Sequence, residues 1–448
     1  MTATASPDTP QKSSTLRVGL AAGVGTSLEF YDFAIYGTAA ALVFGEVFFQ
    51  TGDPWFGTFM SLTTFAIGFL MAPVGAAVFG WIGDRRGRRA ALLAAFVTMG
   101  VSTLLMGLLP SYAVIGVAAP ILLVLLRLCH GAARGGENQS AAVFAMEHAP
   151  EHRRGLFGSF VAVGSPIGSM LANLAFALVL FLPEDAVQSW GWRIPFLVGG
   201  GVLAIGLWIR HGVDETPEFE QVVRQRVDED TRSPLAEAVR TGWRRILLVA
   251  GVNIGLNAST FTLATFMLSF GSAEAPLGLG LPRQQILLGT LLGLACHAVA
   301  NVLAAMVSDR VGRRPVMAVG AVASLASALT MFHLTAVGTV AATNLAIVIG
   351  FICTGVLFGP MYTFFGELFP AEQRASAAGV GFHIGAVLGG GIAPLVANRI
   401  IAGTQQPHYV GYYLATLLVV TLLCLRALPE TAPCRIGRAA APEPLATR

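Results

Sequence analysis

The chain has 448 residues, of which 54% are hydrophobic and only 12% are charged. That charged share is about half of what soluble domains carry, so the composition excludes a water-soluble globular protein. The net charge is only +3, and we attribute it to basic membrane loops, so no nucleic-acid partner is expected.

The apolar residues occur in blocks of about 18 to 30 residues, long enough to cross a bilayer core of about 30 Å. Backbone polar groups in such a core must be satisfied within the segment, so the blocks predict helices. The short alternating segments of a transmembrane β-barrel do not appear. Spans one to six are predicted at 17–45, 57–82, 89–109, 112–147, 155–182 and 193–211. Spans seven to twelve are predicted at 243–270, 284–307, 314–336, 340–367, 374–402 and 409–428.

The predicted spans form two groups of six, separated by a polar stretch. We therefore expect an all-α integral membrane protein with twelve transmembrane helices in two six-helix bundles. Its parts are an N-terminal tail, the first bundle, a central loop, the second bundle and a C-terminal tail, covering 1–15, 16–211, 212–242, 243–428 and 429–448.

Two motifs occur once in each half, in the same order. The first, D-R-x-G-R-R, begins at Asp84 and again at Asp309. The second, E-x-x-P-x-x-x-R, begins at Glu147 and again at Glu367. The copies lie 225 and 220 residues apart, which indicates a duplication and predicts that the two bundles are pseudo-symmetric.

Arginines are distributed unevenly among the predicted loops. With the N-terminus inside, Lys12 and most arginines lie on the cytoplasmic side, whereas Arg193, Arg283 and Arg399 lie outside. Short basic loops stay in the cytoplasm, so this asymmetry predicts that both termini are cytoplasmic.

Several strings resemble those of a known family. The loop from Gly80 to Arg89 is similar to the signature loop of the major facilitator superfamily. Further strings resemble its metabolite:proton symporter family: GTSLEFYDF from Gly25, GWRIPF from Gly191, ETPEF from Glu215 and ELFP from Glu367. The resemblance covers nearly the whole chain. It implies a transporter of the bacterial inner membrane that uses a proton gradient and no cofactor.

The resemblance also implies that charged groups in the repeated motifs form a latch between the bundles, closed when the transport site faces outward. The latch candidates are Asp84, Arg85, Arg88, Glu147, Arg154, Asp309, Arg310, Arg313, Glu367 and Arg374. The aspartates could lie against a neighbouring helix N-terminus, where an anion is favoured. Ala305 stands where the second copy would carry glycine, but alanine is small enough for the latch to form. The alternative is that the arginines only direct topology.

Ionisable side chains lie inside the predicted membrane core, where they are costly and usually face a cavity or each other. They include Glu29 and Asp32 in span one and Arg127, Arg134 and Glu137 in span four. Glu29 and Asp32 share a face of span one, and Arg127, His130 and Arg134 share a face of span four. The helix rise places Asp32 and Arg127 at similar depth, and Glu29 near the depth of Arg134. We therefore expect a pair between Asp32 and Arg127, and a second between Glu29 and Arg134.

Such pairs suit proton coupling. A buried carboxylate beside an arginine stays ionised and takes up a proton when the arginine moves away. We expect Asp32, and after it Glu29, to carry the proton, while Arg127 binds a substrate carboxylate bidentately. The alternative is a static buried salt bridge that only fixes packing.

Further substrate-binding candidates are Tyr31, His130, Arg134, Asn257 and His383. The stretch from Arg127 to Glu137 resembles the family's span-four string R-L-x-Q-G-x-x-x-G-G-E. His130 stands in place of its glutamine, which leaves the substrate open; the alternative is that His130 is a hydrogen-bonded filler. Interhelical hydrogen bonding is the alternative for Asn257 and His383. The five cysteines lack metal-ligand spacing, so no metal site is predicted.

Glycine and proline mark two candidate gating points. One is the run Gly389-Gly390-Gly391 followed by Pro394 in span eleven. The other, in span five, comprises Gly164, Pro166 and Gly168. Broken helices are tolerated where they line a cavity.

The features together predict a monomeric, proton-coupled importer of a small organic acid that works by rocking of the two bundles. A stretch from Gly107 to Arg127 resembles shikimate-type members, and dicarboxylates and zwitterionic osmolytes remain open. A proton-coupled exporter is the first alternative. A sensor would normally need a larger cytoplasmic domain, and no set of residues typical of an enzyme stands out.

Overall fold

The computed structural model describes residues 12–50, 52–86, 88–135, 154–201, 234–370 and 374–432. Within these ranges the regular structure is entirely helical. Nine of the described helices are long and apolar enough to cross a membrane, and Leu93–Leu108 is a shorter apolar helix. The expectation of an all-α membrane protein is confirmed.

The first half contains most of its predicted spans as separate helices. Their bounds are Lys12–Leu42, Phe44–Val47, Pro54–Leu70, Ala72–Arg86, Arg88–Leu108, Tyr112–Ile115, Ala118–Gly135, Arg154–Val179 and Glu184–Ala186, with a π-helical turn at Val187–Gly191. Asp53 begins span two by accepting a hydrogen bond from Trp55 N at 2.9 Å, with Pro54 at the first helical position.

The second half follows the same order. Its helices are Pro234–Phe261, Met267–Ser272, Arg283–Val311, Arg313–Thr335, Val340–Phe358, Met361–Glu367, Arg374–Gly385, Ile392–Thr404 and His408–Ala427, with π-helical segments at Thr262–Phe266 and Ala386–Gly391. Gly312, at φ +116°, allows the sharp turn between spans eight and nine.

Large apolar side chains lie on the outside of the helices. Leu292, Val319 and Leu423 are each more than half exposed. In water such a surface would be unfavourable, whereas in hydrocarbon it is the expected one. The exposed faces therefore agree with a multi-pass membrane protein.

Among the described helices, the halves meet where span one packs against seven, two against eleven, and five against eight and ten. Span five also packs along span one, so it connects the core of the first half to the second half.

Spans two and four pack through glycine. A Cβ on Gly131 would lie 2.2 Å from Gly68 O, and one on Gly135 would lie 1.8 Å from Ala72 O. Only glycine permits this close approach of the two helices.

The two predicted gating points differ. Span five is one helix through Pro166, so the expected break is absent there. Its glycines serve packing instead: a Cβ on Gly168 would lie 2.2 Å from Ser27 O in span one. In span eleven the glycine run is π-helical, and a Cβ on Gly391 would lie 3.2 Å from Phe69 Cβ in span two.

Two irregularities were not predicted. Span ten turns at Gly359 and Pro360 and resumes at Met361, because proline has no N–H to donate. Span seven contains the π-helical segment Thr262–Phe266. Such segments are rare and frequently found at functional sites.

Candidate functional site

A buried ion pair joins spans one and four. Nε of Arg134 lies 3.2 Å from Oε1 of Glu29, and the two side chains are 6% and 5% exposed. The guanidinium also lies over the Phe33 ring, 4.0 Å from its centroid. The predicted pairing of Glu29 with Arg134 is confirmed.

Arg127 is fully buried, and its guanidinium lies among aromatic rings. It is 4.1 Å from the centroid of Tyr36 and 4.8 Å from that of Phe33. Its Nη1 lies 3.3 Å from Nδ1 of His130, and its Nη2 donates to Phe65 O at 3.5 Å. Across the described ranges, no nitrogen of Arg127 lies within 4.0 Å of a carboxylate oxygen.

The predicted pair between Asp32 and Arg127 is therefore wrong for this conformation. Asp32 is buried, but its Oδ1 is directed at span six, 3.0 Å from the position that a Cβ on Gly199 would take. The face of span one that meets Arg127 is occupied by Phe33 and Tyr36. Depth alone could not reveal this rotation about the helix axis.

Tyr31 has a structural contact. Its hydroxyl donates to Pro195 O at 2.9 Å and so ties span one to the start of span six. As a substrate-binding candidate Tyr31 would have to give up this hydrogen bond.

The two candidates from the second half have different surroundings. Asn257 donates to Asn253 Oδ1 at 2.7 Å, and Asn253 donates to Phe382 O at 2.8 Å, so this pair ties span seven to span eleven. His383 interacts electrostatically with Arg134. The charge of Arg134 therefore acts on His383, whereas the hydrogen bond from Asn257 to Asn253 lies within the second half.

Four phenylalanine rings from both halves meet beside the arginines. We call Phe33, Phe65, Phe69 and Phe261 the aromatic cluster. Phe261 of span seven lies 5.2 Å from Phe69 and 5.7 Å from Phe33, measured between ring centroids. We did not predict this cluster, although the four-residue spacing of Phe65 and Phe69 puts them on one helix face.

The second-half latch residue Asp309 joins the halves. Its Oδ1 accepts from Gly155 N at 2.9 Å and its Oδ2 from Leu156 N at 3.0 Å. These amides belong to the first turn of Arg154–Val179, where an anion is favoured. The expected placement of this aspartate at a helix N-terminus is confirmed, with Ala305 in place of glycine.

Arg313 is fully buried at the centre of the latch. It contacts Asp309 at 2.6 Å and Glu367 at 3.4 Å. Backbone contacts add to the same region: Arg374 donates to Gly366 O at 2.9 Å, and Arg154 O accepts from Thr363 at 3.2 Å.

The other latch candidates are less defined. Arg310 is exposed. Asp84 and Arg85 lie in Ala72–Arg86, and Arg88 begins the next helix. Glu147 lies outside the described residues.

The start of the predicted C-terminal tail also belongs to the latch. Glu430 accepts from Arg313 N at 2.9 Å and Arg314 N at 3.1 Å, and so caps span nine. Thr431 donates to Glu367 at 2.6 Å. From the sequence we predicted no role for these residues. The pair Glu430-Thr431 repeats Glu215-Thr216, and this repeat could have drawn attention to it.

A second set of contacts joins the halves at the opposite face. Arg283, at the start of span eight, lies 3.0 Å from Glu46 and 3.5 Å from Glu184. Gln188 donates to Glu46 at 2.5 Å. We call Glu46, Glu184, Gln188 and Arg283 the clasp. We noted Arg283 only as a topology signal, because its partners are far apart in sequence.

The chain is similar to known transport proteins over most of its length. The chain is 38% identical over 421 residues to an inner membrane metabolite transport protein of Escherichia coli, covering 93% of this chain and 94% of that protein. It is 35% identical to a shikimate transporter of Escherichia coli, covering 89% and 91%. It is 33% identical to a proline/betaine transporter of Salmonella typhimurium, covering 92% and 83%.

The fold is also similar to that of a solved proton:xylose symporter, with a TM-score of 0.72 at 18% identity over 94% of this chain and 97% of that one. The sequence model of the Major Facilitator Superfamily matches residues 22–394 and 254–447. The resemblance predicted from the motifs is thus confirmed, and the chain belongs to the Major Facilitator Superfamily of membrane transporters.

Proposed function

We propose that the protein is a proton-coupled symporter that imports a small carboxylate by alternating access. The observation that carries this proposal is the buried ion pair of Glu29 and Arg134, whose arginine acts electrostatically on His383 of the second half. A buried ion pair contributes little net stability compared with apolar packing, so a functional reason for it is favoured.

Glu29 and a substrate carboxylate compete for one cation. While Glu29 is ionised it neutralises Arg134. Once Glu29 is protonated, the guanidinium can bind a substrate carboxylate through two parallel hydrogen bonds. Proton and substrate then bind together, and the loaded site has the same net charge as the empty one.

Arg127 supports the binding of an anion in a different way. It lies two helical turns from Arg134 on the same face of span four, and aromatic rings hold its guanidinium. Its charge therefore adds to the positive potential of the site. We assign it this field effect, and we assign direct contact with the substrate to Arg134.

The names of the similar transporters fit a carboxylate. Shikimate, proline and betaine all carry one. They differ in the rest of the molecule, since shikimate has hydroxyl groups and betaine has a quaternary ammonium. We therefore take a small organic acid as the substrate class.

Alternating access requires the two faces to open in turn. The latch joins the halves through Asp309 and the first turn of span five, and the clasp joins them through Arg283 and Glu46. By the positive-inside rule we place the latch face and both termini in the cytoplasm of a bacterium and the clasp outside. The bundles proposed to rock are residues 16–211 and 243–428.

The test is uptake into proteoliposomes with and without an inward proton gradient. The labelled acids are shikimate, 2-oxoglutarate, citrate, benzoate and betaine. Accumulation of one acid that needs the gradient and stops with a protonophore is the expected result. If the gradient instead drives the label out of preloaded vesicles, the protein is an exporter and the proposal is wrong.

A further inference from the structure

The hydroxyl of Tyr362, in span ten, makes no hydrogen bond to any described residue. Tyr362 is 5% exposed, and its ring stacks on Phe382 and meets Phe358 edge-on, both at 5.8 Å between centroids. Its hydroxyl is buried and has no hydrogen-bond partner among the described residues. Phenylalanine would pack the same way without burying an unpaired polar group, which is unfavourable.

Tyr362 lies beside the boundary between the halves, near the latch. Its neighbour Thr363 donates to Arg154 O across the boundary between the halves, so this part of span ten lies at that boundary. Tyr362 also interacts electrostatically with Glu29 and Arg134 of the first half. His383, which follows the stacked Phe382, interacts with the same Arg134.

The turn at Gly359 and Pro360 explains how Tyr362 comes to be there. Span ten is interrupted directly before Met361, because Pro360 has no N–H to continue the helix. A Cβ on Gly359 would lie 2.3 Å from Asn301 O, so span eight holds this turn closely. The position of the Tyr362 ring is therefore supported by packing on several sides.

We propose that Tyr362 determines substrate specificity by donating a hydrogen bond to a hydroxyl or carbonyl oxygen of a carboxylate bound at Arg134. This inference rests on the proposed function and narrows it to hydroxy acids or oxo acids. Arg134 recognises the carboxylate from the first half, and Tyr362 recognises the second oxygen from the second half. A substrate with both groups therefore contacts both halves. An acid without the second oxygen leaves the hydroxyl unpaired, and a site with an unpaired polar group discriminates against such a ligand.

The test compares Tyr362→Phe with the unaltered protein by equilibrium binding to purified protein in detergent. The ligands are matched pairs that differ only in hydroxyl groups: shikimate with 1-cyclohexene-1-carboxylate, malate with succinate, and carnitine with γ-butyrobetaine. The unaltered protein should prefer the hydroxylated member of one pair by about tenfold, the worth of one hydrogen bond. Tyr362→Phe should abolish that preference and leave affinity for the other member unchanged.

Tyr413→Phe is the matched control, because it also removes a phenolic hydroxyl. Tyr413 lies in span twelve and packs against the core. It should keep the preference. The inference is overturned if Tyr362→Phe keeps the preference, if the unaltered protein shows none in any pair, or if both variants lose it equally. Uptake by the same preparations tests the proposed function separately. Suppose that Tyr362→Phe loses the preference for the hydroxylated ligand while uptake by the unaltered protein does not depend on the proton gradient. That result would refute proton coupling and support the role of Tyr362.

Discussion

Arg134 donates a hydrogen bond from Nε to Oε1 of Glu29 at 3.2 Å, and both side chains are buried between spans one and four. The aromatic ring of Phe33 covers the guanidinium. Water is therefore poorly placed to replace either partner, and separating the pair requires a new partner for each charge. A proton for Glu29 and a carboxylate for Arg134 satisfy that requirement together.

Replacing Glu29 by glutamine should abolish proton-driven accumulation while exchange across the membrane continues. Glutamine keeps the size of the side chain but cannot take up a proton, so transport would stop at equal concentrations on both sides. Labelled uptake under a proton gradient, and counterflow without one, measure the two activities. Asp32→Asn is the matched comparison and should retain accumulation. If Asp32→Asn loses accumulation and Glu29→Gln keeps it, the proton belongs to Asp32.

Replacing Asp309 by alanine should open the latch. The change removes the acceptor for Gly155 N and Leu156 N, a capping interaction worth about 1 kcal/mol. That corresponds to about a fivefold shift toward the conformation that is open at this face. Spin labels at the exposed positions Trp81 and Arg310, in a protein without its native cysteines, would report a longer distance.

Asp309→Asn provides the control for the latch. Asparagine retains one acceptor oxygen but loses the charge, so its distance distribution should lie between those of the unaltered protein and the alanine variant. Identical distributions for all three proteins would show that Asp309 does not hold the halves together.

Reversing the charge of Arg283 should loosen the clasp. Arg283→Glu places three carboxylates together, whereas the double variant Arg283→Glu with Glu46→Arg restores one attractive pair. Both native side chains are partly exposed, at 33% and 44%, so the effect should be modest, about 0.2–1 kcal/mol, and weaker at high salt. Spin labels at the exposed Trp190 and Leu288 would measure the separation. No recovery in the double variant would exclude the ion pair as the cause.

Adding a methyl group between spans two and four should destabilise the first half. A Cβ on Gly135 would lie 1.8 Å from Ala72 O, and overpacking of this kind typically costs about 1–3 kcal/mol. Gly135→Ala should therefore lower the melting temperature in detergent. Gly403→Ala is the control, because nothing lies within 4 Å of a Cβ there. Equal melting temperatures for both variants would contradict the packing described.

Hydropathy and the repeated motifs were sufficient to predict most of the described helices and the contact of Asp309 with a helix N-terminus. Apolar length predicts spans, and the negative charge of Asp309 predicts a place against the N-terminus of a neighbouring helix. The sequence could not predict which of Asp32 and Glu29 faces span four. The two side chains lie within about 60° of each other around the helix axis, so only the packing of the helix distinguishes them. Phe33 and Tyr36 occupy the face of span one that meets Arg127. The order of residues in the sequence does not show which face packs against span four.

Contacts between distant parts of the chain were also missed. The clasp residues Glu46, Glu184 and Arg283 are charged residues in separate loops, where a surface location is the ordinary expectation. The role proposed for Tyr362 rests on a buried hydroxyl that has no hydrogen-bond partner among the described residues. That observation can be made only on the folded protein.

Proton uptake on substrate binding tests the role of Glu29 most directly. The purified protein is placed in weakly buffered solution at neutral pH, and the accepted acid is added as its pH-matched salt. We expect the solution to become more alkaline by about one proton per bound molecule, and we expect Glu29→Gln to bind the acid without this change. Binding by the unaltered protein with no proton uptake, or undiminished uptake in Glu29→Gln, would contradict this expectation.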